Sequence, residues 1–192
     1  MKNYGEELAY WYLRFNGFFP ITDFVIHRSG HASDCDILAI RTPYVREEIG
    51  GQQDDWDTNL TRLLGSFTSF KRTIGLICAV TTEVGLRDFS FPDDIIDVAV
   101  DRLGFAANTS EIKAALRNQT CHLIGEQYQI AKLLIANNNP SNGNSYLFIT
   151  LEDTHDFIVR RITKYIDPKH SAKHQFNSNL IQEHIWDIRR HR

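Results

Sequence analysis

The amino-acid sequence predicts an α/β fold, a central sheet flanked by helices and followed by an α-rich C-terminal extension. Three observations carry this expectation. The first hundred residues alternate helical and strand-like apolar spacing in the order helix–strand–strand–helix–strand. The run Leu76-Ile77-Cys78-Ala79-Val80-Thr81-Thr82 is apolar enough for a central strand covered on both faces. Two amphipathic segments close the chain, one carrying Phe157, Ile158, Ile162, Tyr165 and Ile166, the other Leu180, Ile181, Ile185, Trp186 and Ile188.

Each element has a local cause. Over residues 5–16, Leu8, Ala9, Tyr12, Leu13 and Phe15 recur at helical spacing, and Gly17 supplies the residue that ends the helix. Phe18–Ile26 reads as a strand, Arg28–Ser33 as a polar turn, and Asp36–Arg41 as a second strand closed by Pro43. An acidic, glycine-containing loop covers Arg46–Asp57. Asp57 or Thr58 then caps a helix with Leu60, Leu63, Leu64, Phe67 and Phe70 on one face, stopped at Gly75. Pro92 suits the first position of a helix that runs to Leu103 before Gly104. Asn108 and Glu111 suit the cap of a short helix around Ile112–Leu116. Cys121–Ile124 reads as a strand, Tyr128–Ala136 as an apolar stretch of undecided type, 137–144 as a loop, and Tyr146–Leu151 as a last strand. No internal repeat or linker divides the chain, so 1–105 and 106–192 are expected to pack as one unit, core and extension.

Composition narrows the function classes. The chain has 192 residues, 42% hydrophobic and 23% charged, enough apolar surface for one ordinary core and too much for a disordered or collagenous chain. Its apolar runs are far too short for a membrane span, and it opens on acids and a helical pattern rather than a secretory leader. Cys35, Cys78 and Cys121 form no Cys-x-x-Cys pair, which makes a reducing cytoplasm the expected compartment. The net charge of −3 argues against purely electrostatic binding to nucleic acid. The distribution is uneven, however: residues 42–101 hold 5 Lys/Arg against 11 Asp/Glu, whereas 102–192 hold 12 against 8 with six of the eight histidines.

Two acids stand out. Glu6 shares a helical face with Ala9, Tyr10 and Leu13, and Asp36 heads an otherwise apolar strand. Acids aimed at an interior need partners; a divalent cation such as Mg²⁺ is one, a helix start and a turn cap are the alternative. The surrounding residues, Gly5-Glu6-Glu7-Leu8-Ala9 through Asn16-Gly17-Phe18-Phe19, then His27-Arg28-Ser29-Gly30 and Asp34-Cys35-Asp36-Ile37-Leu38-Ala39, resemble the PD-(D/E)XK nuclease superfamily. The resemblance covers about residues 4–85 and is nearest the branch of Holliday-junction resolvases and restriction-endonuclease-like proteins. It implies a restriction-endonuclease-like core, with a mixed sheet and helices on both faces. It also implies that Glu6, Asp36 and an acid-x-lysine on the next strand would hold Mg²⁺ and activate water, in a setting such as bacterial defence against foreign DNA.

The third motif departs from that pattern. The matching positions are Ala79 and Thr81, so both the acid that would hold metal and the lysine that would orient water are missing. An acid-x-lysine at Glu111-Ile112-Lys113 falls on a helix. Glu83 alternates with Ala79 and Thr81 and is the candidate relocated carboxylate, but strand geometry sets it roughly 13 Å beyond Ala79. The expectation is an incomplete, non-cleaving site that needs no cofactor, with an active Mg²⁺-dependent endonuclease as the alternative.

Arg160, Arg161, Lys164, Lys169 and Lys173, with Arg189, Arg190 and Arg192, form a basic cluster interleaved with Tyr165, Phe176 and Trp186. It reads either as a nucleic-acid backbone contact, to DNA or RNA, or as the solvated faces of two helices. His170 and His174 read as exposed histidines rather than zinc ligands, and His31 and Cys35 as polarity around Asp36. The sequence contains no P-loop and no Gly-x-Ser-x-Gly elbow. The expected roles are nucleic-acid recognition or an assembly subunit with a protein partner, against a structural protein that binds no nucleic acid.

Overall fold

The computed structural model describes residues 3–28, 31–45, 55–65, 71–141, 145–167 and 178–190. The chain runs α1 (Tyr4–Phe15), β1 (Phe19–Arg28), β2 (His31–Arg41), α2 (Thr58–Gly65), β3 (Thr73–Thr81), α3 (Asp93–Leu103), α4 (Ser110–Asn118), β4 (Cys121–Ile124), β5 (Tyr128–Ala136), β6 (Leu147–Thr150), α5 (Leu151–Lys164) and a last helix, α6 (Asn179–Arg190). The fold is α/β, with one mixed six-stranded sheet flanked by helices.

β1, β2 and β3 form an antiparallel meander, with Phe19 opposite Ile40 and Ile37 opposite Cys78. The chain then crosses over through α3 and α4 so that β5 lies parallel to β3, from Thr73 opposite Tyr128 to Thr81 opposite Ala136. On the far side of β5, β4 pairs antiparallel with its first half and β6 parallel with its second half. A parallel pair needs such a crossover, and its strands are covered on both faces.

That covering divides the core in two. On one face, Leu8, Tyr12 and Phe15 of α1, Phe157, Ile158 and Ile162 of α5, and Ile181 and Ile185 of α6 pack with Leu76, Cys78, Leu133 and Ile135. On the other, Ile96, Val100 and Leu103 of α3 and Leu116 of α4 pack with Ile77, Ile130 and Leu134. The boundary expected at residue 105 therefore cuts through one sheet. Among the described residues, those beyond it supply strands β4–β6, with β5 beside β3, as well as three helices, two of which cover the first core face.

Several local expectations hold in detail. Gly17 ends α1 at a φ of +81°, and Gly104 ends α3 in the left-handed region. Pro92 falls one position before its expected place, as the N-cap of α3. Two others change. Gly75 is not a helix stop but an interior residue of β3, where a Cβ would come within 2.7 Å of Leu103 Cδ1. The undecided stretch 128–136 is a strand with Gln129 and Lys132 buried in it. Phe67 and Phe70 lie outside the described residues.

Candidate functional site

Each of the two acids singled out in the sequence has a partner within the fold. Helix α1 begins at an Asn3 N-cap whose side chain accepts from the Glu6 N–H at 2.9 Å, while Asn3 Nδ2 donates back to Glu6 Oε1 at 2.6 Å. This reciprocal cap accounts for an acid at the third helical position. Next to it, Gly5 is pressed onto the end of β3: a Cβ there would come within 2.9 Å of Thr82 Cγ2 and 3.3 Å of Val80 Cγ1. Asp36 reaches the same residue from the other side, its Oδ2 accepting from the Val80 N–H at 2.7 Å. Asp36 thus touches Val80 through a hydrogen bond, whereas the Glu6 carboxylate is turned to Asn3 and only its neighbour Gly5 approaches Val80.

The positions matched to the missing pair flank Val80. Ala79 packs into the core face covered by α3 and α4, whereas Val80 packs into the face covered by α1. Alternation along β3 therefore turns Ala79 away from the helix that carries Glu6. Glu83 lies past the end of β3 and is exposed; its N–H donates to Thr81 Oγ1 at 3.2 Å. The structure does not bring it alongside Asp36 as a strand neighbour. Among the described residues, no group of three His, Cys, Asp or Glu side chains is arranged for a metal ion.

Polar groups from the parallel strands complete this rim. Asn137, just past β5, donates from Nδ2 to the Thr82 carbonyl at 2.7 Å, and Asn138 donates to the Leu86 carbonyl at 2.8 Å while accepting from Gly85 N–H at 3.1 Å. The carboxyl ends of parallel strands are where α/β sheets present ligand sites. Sequence reasoning passed over these asparagines because an Asn-Asn-Asn-Pro run reads simply as loop. Burial, reinforced by the Asp36 charge, pushes the nearby Cys35 thiol up to about 12, and burial also raises Cys78, which favours the protonated thiol at both.

A second cluster lies on the α1–α5 side. A cleft of about 240 Å³ opens between the 55–58 segment and the Phe157, Arg160, Arg161 and Lys164 side of α5. Asp55 holds this cluster together, accepting from Lys164 Nζ and Tyr165 Oη through its carboxylate and from Arg161 Nη1 through its carbonyl at 2.6 Å. Asp57 accepts from Tyr12 Oη through its side chain, and its N–H donates to Asn16 Oδ1 at 2.7 Å. Buried Arg41 donates to the Asn16 carbonyl at 3.1 Å and stacks over the Trp56 ring at 4.0 Å. Burial holds its guanidinium down at about 10.

This network corrects the sequence reading of the basic cluster. Arg161 is buried and bonded inward, and Lys164, though exposed, is paired with Asp55. Arg160, Arg189 and Arg190 are exposed. Lys169, Lys173, His170 and His174 lie outside the described residues, as does the His31 side chain; Cys35 is buried. Among the described residues, no helix is long and apolar enough to cross a membrane. Comparisons with protein-family models, with curated proteins and with solved structures find no match.

Proposed function

We propose that this chain is a PD-(D/E)XK-like protein that does not cleave and that acts in nucleic-acid recognition. The observation that carries the first half is the use of Asp36. Its carboxylate closes the β2–β3 pairing by accepting the Val80 N–H, and the residues either side of Val80 offer neither a metal-holding carboxylate nor a lysine. The helix-first order, the antiparallel strands carrying Asp36 and Ala79, and helices on both sheet faces agree with the core that the sequence resemblance implies. Mg²⁺ would have only Glu6 and Asp36 here, and both carboxylates already serve hydrogen bonds of the fold.

For recognition, the exposed arginines Arg160, Arg189 and Arg190 are the phosphate contacts, since Arg161 and Lys164 are drawn inward by Asp55. A second reading, an assembly subunit, is favoured by β1. This strand exposes Phe19 and Ile21 at 56% and 52% of their surfaces, an apolar pair on a strand that, among the described residues, pairs only with β2.

The test is incubation of linear, supercoiled and branched DNA, and of RNA, with Mg²⁺ or Mn²⁺, beside Asp36→Asn. The expected result is no cleavage above that variant, together with binding that weakens steeply with salt. Cleavage abolished by Asp36→Asn would overturn the non-cleaving reading and return Glu83 to consideration. Absence of binding at low salt would leave assembly as the reading.

A further inference from the structure

Helices α5 and α6 each bring one histidine to their shared interface. His155 and His184 stand with ring centroids 5.2 Å apart and planes at 68°. Neither ring belongs to the Val80 rim or the Asp55 cluster. On α5, His155 Nδ1 lies 3.4 Å from Asp156 Oδ1, which orients that nitrogen toward a carboxylate. On α6, His184 Nε2 is buried and has no hydrogen-bond partner among the described residues. A buried ring nitrogen without a partner is costly unless something takes its lone pair.

We propose that His155 and His184 form a two-nitrogen site for a divalent transition ion of the zinc or nickel type, which ties α6 to α5. The spacing suits it. With metal–nitrogen bonds of about 2.0–2.1 Å and ring centres about 1.1 Å further out, two imidazoles at a tetrahedral angle place their centroids about 5 Å apart. The Asp156 carboxylate beside Nδ1 leaves Nε2 of His155 as the nitrogen for the metal. Asp187 and Glu183 on α6 add negative charge near His184. No third side chain closes on the pair among the described residues, so water completes the coordination and the site stays open. Imidazole nitrogen selects zinc, nickel or copper over magnesium, which separates this site from the carboxylates at Val80.

Competition of the full chain against a chromophoric chelator for Zn²⁺, with thermal unfolding in Zn²⁺, Ni²⁺ or Mg²⁺, tests the site. The expected result is one Zn²⁺ per chain and, at about 100-fold excess over the dissociation constant, a rise in the unfolding midpoint of at least about 4 °C. Mg²⁺ produces no rise. Both effects disappear in His155→Gln, a half-exposed position that tolerates the change, and in His184→Gln. They persist in His170→Gln/His174→Gln. Zn²⁺ binding that survives His155→Gln, that is lost with His170→Gln/His174→Gln, or that is absent from the unaltered chain would overturn the proposal.

Discussion

At the residue scale, Asp36 and Lys132 show how one charge in the sheet is met by a hydrogen bond and another is held at a desolvation cost. Asp36 is partly buried but completes a backbone hydrogen bond to Val80, so removing the acceptor exposes the cost of an unmet N–H. Asp36→Ala is expected to lower stability by about 1–3 kcal/mol in urea unfolding, and Asp36→Asn by clearly less, because the amide oxygen still accepts. The cleavage control is thus also a folded control. Lys132 has the opposite economy. It is 1% exposed on β5, its ammonium 5.6 Å from the centre of the Phe91 ring, and burial pulls it down to about 8. Holding that charge at neutral pH strains the core, so Lys132→Met, of similar length and without charge, should raise stability at pH 7 by on the order of 1–2 kcal/mol. A Lys132→Met chain less stable than the parent would show that the ammonium has a partner worth more than its desolvation.

At the element scale, β3 decides where everything else sits, and Gly75 is its tightest point. Leu103 and Phe105 close over its Cα, so Gly75→Ala would drive a Cβ to 2.7 Å and 2.8 Å from them. The expected loss is about 1–3 kcal/mol, read as a lower urea midpoint at unchanged slope. The same glycine marks a limit of sequence reading. After an amphipathic helix, glycine reads as a stop, and nothing local reveals that a side chain thirty residues later fills the space above it. Helix α1, β3 and α3 were legible because their apolar spacing and terminal glycine or proline act within a few residues. β5 was not: an apolar run that contains Gln129 and Lys132 fits no single period, and its strand identity comes from being flanked by β3, β4 and β6. Of the candidate site, Glu6 and Asp36 were legible as acids out of place. Their partners Asn3 and Val80 were not, since a capping pair and a main-chain N–H leave no pattern that distinguishes them from ligands. Asp55 was least legible, because its side-chain partners lie 109 and 110 residues along the chain.

At the scale of the whole molecule, the buried titrating groups oppose one another above neutral pH. Lys132 has a folded-state value near 8 against an ordinary 10.5, so between these the unfolded chain holds a proton that the folded chain has released. Stability therefore rises with pH across that window, its desolvation cost being fully present below about 8. Cys35 works the other way: raised to about 12 from 9.0, it keeps its proton after the unfolded thiol has lost it, so stability falls as pH climbs from 9 toward 12. Cys78 and Tyr12, both raised by burial, add to that fall, Tyr12 also because the Asp57 charge disfavours phenolate. The sum is a stability that climbs from pH 8 to about 9 and then turns down, where a chain with unshifted groups would be flat. Urea midpoints in steps between pH 7 and 10.5 measure it, a range that reaches the titrations of Arg41 and of the unfolded tyrosines only at its upper end. In Lys132→Met the climb should vanish while the descent remains, and in Cys35→Ala/Cys78→Ala the descent should shallow while the climb remains, whatever each substitution does to the absolute level. A descent unchanged in the double cysteine variant would place the alkaline proton linkage on Cys121, also raised by burial, or on Tyr12 and its bond to Asp57.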